Sequence, residues 1–323
     1  MVIKSIINFY MVNLGKGFLE VFVSFGDMIT GTLGIKADTK KSEIGGYFSK
    51  IAETMKEVRE KLGKILEENG KYEKVREKVG EFIGKISKIE EGAKKVALGA
   101  NGSAVIGEVV KSGAGVNSPD VDSIKNLVGG IKEIVDLIVT EGNGEADKTK
   151  PVDEDKKNIG KLFGAETTDN TKGAEDKHVA AANASIGAVS GADILKAIAS
   201  SNPDATKDGK VKEVKDAAGL ALAKGTGTAD DEKLSDAVKK DAVIAAGIAL
   251  RGIAKEGKFI VKDTADSKTE AEGAKGAVAN AVNKVLSTLT MAIRNTVDDG
   301  LKEINKVLGV IKQGEGSTNK VNE

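Results

Sequence analysis

The sequence predicts an all-α protein, an elongated helical bundle with paired N- and C-terminal helices and a loop-rich central region. Three observations lead there. Only Pro119, Pro151 and Pro203 interrupt the 323 residues, so long stretches are free of helix breakers. Ala, Lys, Glu, Val and Ile recur at helical spacing. The strongest apolar seams lie towards the two ends, while Gly, Ser, Thr and Asp collect between them. The 39 glycines act in the other direction, each costing roughly 1 kcal/mol against Ala inside a helix, so turns should divide the helices.

The opening MVIKSIINFYMVNLGKGFLEVFVSFGD is apolar but punctuated by Lys4, Asn8, Asn13, Lys16, Glu20 and Asp27. A membrane-spanning helix needs ~20 mainly apolar residues, and a signal peptide needs an unbroken core and a small-residue cleavage site. Residues 18–35 instead read as a buried amphipathic helix. Next, Ile44, Phe48, Ile51, Met55, Val58, Leu62 and Ile65 fall alternately four and three apart. After Asn69-Gly70 the spacing resumes through Tyr72, Val75, Val79, Phe82, Ile86 and Ile89. Two seams with a turn between them predict a helical hairpin. A matching stripe runs from Val278 through Val282, Val285, Leu289, Ile293, Val297, Leu301, Ile304 and Leu308 to Ile311. Each terminal region is the natural partner of the other.

The middle is softer. Ser118 is placed to cap a helix with Pro119 in its first turn and Val121, Ile124, Leu127, Ile131, Ile134 and Ile138 on its buried face. Residues 180–199 and 211–224 read as weaker, alanine-rich helices. Stretches such as 143–150 and 167–175 read as exposed, replaceable loops. Beyond residue 82 the only aromatics are Phe163 and Phe259. Glu91-Gly92-Ala93-Lys94 recurs as Glu272-Gly273-Ala274-Lys275, on either side of this middle region.

Chemistry-bearing patterns are sparse. With 49 basic and 49 acidic residues the net charge is zero, which argues against nucleic acid as a partner. There is no cysteine, which removes disulfides and thiolate chemistry. His178 is the lone histidine, too few for a multi-His metal site, and it reads as an ordinary surface residue. No Gly-Lys pair continues into the Ser or Thr of a phosphate-binding loop. Asp153, Glu154 and Asp155 start like a calcium loop, but Lys157 stands where Asp or Asn is needed and no glycine follows. The residues therefore point to no cofactor, no metal and no enzymatic activity.

VNLGKGFLEVFVSFGDMITGTLGIKADTKKSEIGGYF resembles the variable large proteins of relapsing-fever Borrelia. KKDAVIAAGIALRGIAKEGKFIVK, residues 239–262, is similar to the invariable segment of the related Lyme-disease antigen VlsE. The C-terminal AVNKVLSTLTMAIRNTVDDGLKEINKVL is a third match. The resemblance implies a mostly helical outer-membrane surface lipoprotein, varied by recombination to escape host antibodies. It divides one structural domain into an N-terminal scaffold (1–98), a variable loop-rich region (99–240), a buried invariant-type segment (241–262) and a C-terminal scaffold (263–323). In the third part, a helix over about 239–255 would align Val243, Ala246, Leu250 and Ile253 as a buried stripe. Gly257 would end it, and Phe259 and Val261 would pin the exit.

Family members are anchored through an acylated cysteine after a lipoprotein signal. Neither is found in this chain, so a silent archival cassette or an intracellular helical scaffold stands as an alternative. A further alternative is an adhesin for host glycosaminoglycans, with Lys207, Lys210, Lys212 and Lys215 as polyanion contacts. Asp204, Asp208, Glu213 and Asp216 lie among those lysines and oppose their field. The pattern does not select between monomer and dimer.

Overall fold

The computed structural model describes residues 35–69, 71–111, 118–150, 153–164, 172–206, 209–225, 231–262 and 268–317. The helix expected over residues 18–35 lies outside them except for Ile35, which is buried.

Helices α1 (Lys41–Asn69) and α2 (Glu73–Gly99) form the expected hairpin. Every seam residue from Ile44 to Ile65 and from Val75 to Ile89 is buried. The first backbone donors of α1, Lys41 N and Ser42 N, bond the carbonyls of Ala104 and Gly102 at 2.9 Å, closing the chain that leaves α2 back onto α1.

Helix α3 (Val121–Ile138) packs on α2 through Ile124, Leu127, Val128, Ile131, Ile134 and Val135. Its cap is Asp120 rather than Ser118. The Asp120 carboxylate accepts the Ser123 N–H at 2.8 Å, while Pro119 precedes the cap. The chain continues through α4 (Asp153–Lys157) and a 3-10 turn, Asn158–Phe163.

The helix expected over 180–199 is two helices, α5 (Asp176–Ala188) and α6 (Gly191–Ala199). Ser190 breaks it with a capping box: its hydroxyl accepts from Asp193 N at 3.1 Å and its own N–H donates to the Asp193 carboxylate at 2.9 Å. The helix expected over 211–224 also divides, into a 3-10 turn at Val211–Glu213 and α7 (Ala217–Leu222), because the Asp216 carboxylate caps Gly219 N at 2.8 Å. In both places a local side-chain bond competes with helix continuation.

Helix α8 (Asp241–Ile253) leads into strand β2 (Phe259–Val261). This strand pairs in parallel with β1 (Val109–Lys111), Val109 opposite Phe259 and Lys111 opposite Val261. The small sheet is an addition to the helical expectation. Three-residue strands lack the length for a period-2 pattern to show. The last helix, α9 (Lys268–Ser317), has 50 residues. It packs along α8, α5 and α6 and reaches the N-terminal hairpin at α2, where Gly300 meets the Phe82 ring. Its stripe is buried from Ala277 to Ile304, and the side chains of Leu308 and Ile311 lie outside the described residues.

The segment 143–150 is not a loose loop. Ala146 is buried and Gly144 lies against the Lys196–Ala197 backbone. Asn143 N donates to Asp193 at 2.7 Å, and Lys148 N and Thr149 N each donate to Asp241 at 2.7 Å. Ala174 is likewise buried and bridges Val261, whereas residues 165–171 lie outside the described ones.

Candidate functional site

Helix α8 is the centre of the molecule. Its sequence DAVIAAGIALRGI is mostly small and aliphatic, and all 13 residues are buried. The stripe of Val243, Ala246, Leu250 and Ile253 is thus only part of its buried surface, because α1, α3, α5, α6, α7 and α9 all touch α8. Two glycines permit the closest approaches. A methyl on Gly247 would stand 2.8 Å from Leu220 Cδ2, and one on Gly252 would stand 2.7 Å from Val278 Cγ1. Phe259 and Val261 in β2 are buried too.

A helix hidden on every side still carries orphan donors at its start and orphan acceptors at its end. At the start Ala242 N bonds the Ala146 carbonyl at 3.0 Å, and a charged side chain stands at each end of the helix. Asp241, fully buried in the first turn, receives the N–H groups of Lys148 and Thr149, the Thr149 hydroxyl at 2.6 Å and the Lys156 ammonium at 2.8 Å. Burial alone would raise its pKa, but the bonds from Lys156 and Thr149 outweigh it and hold the carboxyl at about 2. Its negative charge also suits the positive end of the helix dipole.

At the other end Lys41, fully buried, donates to the carbonyls of Ala254 at 2.7 Å and Gly257 at 2.6 Å. Burial pushes its pKa down to about 7, with Glu108 opposing and Arg251 and Lys258 reinforcing the shift. Arg251 is fully buried as well, and burial brings it to about 9. Its guanidinium donates to carbonyls: Lys258 at 2.6 Å, Ala221 at 2.9 Å and Ala223 at 2.8 Å. Among the described residues no carboxylate pairs with it, and Nη2 has no hydrogen-bond partner. Phe163 lies against the cation, 5.8 Å from ring centre to Cζ, and packs edge-on to Phe259 at 6.0 Å. The two late aromatics of the sequence thus meet around one buried arginine. Glu256 adopts φ +65, and a side chain on Gly257 would collide with the Arg251 carbonyl, which explains the glycine at this turn.

The remaining sequence candidates lie elsewhere. His178 is buried, not a surface residue: its Nδ1 accepts the Glu175 N–H at 3.1 Å as part of the α5 capping box. Burial, helped by Lys161, pushes its pKa down to about 4, so it acts as a neutral cap. Lys207 lies outside the described residues. Lys210 and Lys212 both pair with Asp231, and Lys215 is exposed. Among the described residues no group of three or more His, Cys, Asp or Glu could hold a metal ion, and no helix is long and apolar enough to cross a membrane.

Sequence reading missed Lys41, Asp241 and Lys284. Lys284, on α9, donates to the carbonyls of Ile186 at 2.7 Å, Gly187 at 3.3 Å and Val189 at 2.8 Å, closing the end of α5. Only Arg251 carried a usable signal, a rare arginine inside the apolar run IALRGIA.

The structure thus defines a helical bundle wound around one sealed central helix. Comparisons with known proteins identify its family. The Borrelia lipoprotein family model matches residues 18–308. Variable large protein 17 of Borrelia hermsii is 49% identical over 313 residues, spanning 96% of this chain and 86% of that protein. Variable large protein 4 of the same organism is 46% identical over 314 residues, spanning 96% and 87%. The crystal structure of the Lyme disease variable surface antigen VlsE of Borrelia burgdorferi superposes with a TM-score of 0.72 at 32% identity, covering 92% of this chain and 97% of that one. The chain belongs to the variable large protein family of Borrelia lipoproteins, non-enzymatic variable surface antigens of the outer membrane.

Proposed function

We propose that residues 99–240 form the exchangeable, antibody-facing part of this antigen, and that 241–262 is the fixed segment every variant packs around. Complete burial of α8 carries this reading, since no antibody can reach a helix enclosed by six others without unfolding the chain. Exposed positions such as Glu141, Asn143, Glu145, Asp147, Asn202 and Asp204 lie within 99–240 and are open to recognition. Surface segments of this kind tolerate sequence change where few buried contacts depend on their side chains.

The test is a pair of reciprocal chimeras with variable large protein 17, exchanging the segment corresponding to 99–240. Serum raised against this folded chain should follow the exchanged segment. Binding that follows the scaffold instead would refute the assignment. Contact with host glycosaminoglycans through Lys207, Lys210, Lys212 and Lys215 is the weaker reading, because Lys210 and Lys212 share Asp231, whereas polyanion binding needs uncompensated charge. Retention on heparin that falls steeply with salt would revive it.

A further inference from the structure

We propose that charged side chains outside residues 99–240 grip that region by its main chain, so that the grip survives replacement of the side chains it carries. Arg251 of α8 holds the end of α7 through the carbonyls of Ala221 and Ala223. Lys284 of α9 holds the end of α5 through the carbonyls of Ile186, Gly187 and Val189. Asp241 of α8 holds residues 148 and 149 through their N–H groups. Backbone pairs join the same parts: Ala242 N to Ala146 O at 3.0 Å, Asp120 N to Lys255 O at 3.0 Å, and Lys262 N to Ala174 O at 3.0 Å.

A carbonyl at a helix end is the same acceptor whatever residue bears it, and its partial negative charge favours a cation. A carboxylate partner for Arg251 would instead fix one acidic residue inside the changing region. Two of the grips also touch side chains of that region: Asp241 those of Thr149 and Lys156, and Arg251 the ring of Phe163. What a replacement segment must keep is therefore where its helices end, not which residues end them. This extends the assignment of 99–240 as the exchanged region, and a thermal readout separates its failure from that of the serum test.

Lys284→Met and Arg251→Met are each placed in this chain and in the chimera carrying the 99–240 counterpart of variable large protein 17. Lys284→Met should lower the Tm by about 3–6 °C in both backgrounds, with equal shifts. Lys284→Arg, which keeps the charge and donors, should recover most of the loss. Arg251→Met should cost more in both, and if it does not fold, the half-buried Lys284 carries the comparison alone. A loss confined to the parent chain, no loss in either, or a chimera that does not fold would each overturn the proposal.

Discussion

Gly92 and Gly130 face each other where α2 crosses α3. A methyl on Gly92 would stand 2.8 Å from the Gly130 carbonyl, and a methyl on Gly130 would stand 2.5 Å from the Gly92 carbonyl. Neither obstacle is a flexible side-chain tip, so the helices must separate to admit either one. Gly130→Ala is expected to cost about 1–3 kcal/mol by overpacking, despite alanine's better helix propensity. Gly129, one residue earlier, has nothing within 4 Å of such a methyl. Gly129→Ala should stabilise by up to ~1 kcal/mol. Calorimetric melting of the two variants reads the sign directly, and equal effects would mean that the crossing is looser than described.

The hairpin, the long last helix and the buried face of α3 were legible in the sequence because helical spacing over four or more turns leaves little else to fit. The sequence places the cap of α3 two residues early, at Ser118 instead of Asp120. The second EGAK copy was visible as a repeat, but not the packing role of its glycine, where a methyl would come 2.9 Å from Val179 Cγ1. The breaks at Ser190 and Asp216 were hidden, because alanine-rich stretches look helical throughout and the deciding signal is one side-chain bond. The buried charges were least visible. Lys41 opens a run that reads as a solvated helix start, and only the distant turn at Ala254 and Gly257 gives it acceptors.

Leu250 is fully buried within α8. Leu250→Asp puts an unpaired carboxylate where no water can reach it and should cost at least ~4 kcal/mol, enough to unfold a marginal chain. An unchanged circular-dichroism melt would show that the position is reached by solvent.

Asp241 should leave a mark on acid stability. Its carboxyl titrates at about 2 in the folded chain against 3.8 ordinarily. Its contribution, about 2 kcal/mol, is full above the unfolded pKa and is lost as pH falls from about 4 to 2. Asp241→Asn should lower stability at neutral pH and flatten that acid limb in urea titrations between pH 6 and 2. A limb as steep as that of the parent would assign the acid sensitivity to other carboxylates.

Lys41 has the opposite signature. Its folded pKa of about 7 lies below the ordinary 10.5. Between those values the unfolded chain binds more protons, so stability should rise with pH over that window. Lys41→Met should remove that rise while also losing the bonds to Ala254 and Gly257. An alkaline profile identical to the parent's would show that Lys41 keeps an ordinary pKa.

Within 143–150 the effects should divide by position. Thr149→Ala removes the hydroxyl donor to a buried carboxylate and should cost about 1–2 kcal/mol. Glu141→Gln, at an exposed site just outside, should change stability by less than ~0.5 kcal/mol. Similar urea midpoints for both variants would mean that the segment is not anchored to Asp241.

The most direct measurement uses antibodies affinity-purified on a peptide spanning residues 241–253, the fully buried helix, assayed against the folded chain and against the same chain unfolded in urea and captured. With α8 enclosed, they should bind the unfolded chain and leave the folded one unbound. Equal binding to both would place this segment at the surface and contradict the sealed central helix on which the assignment rests.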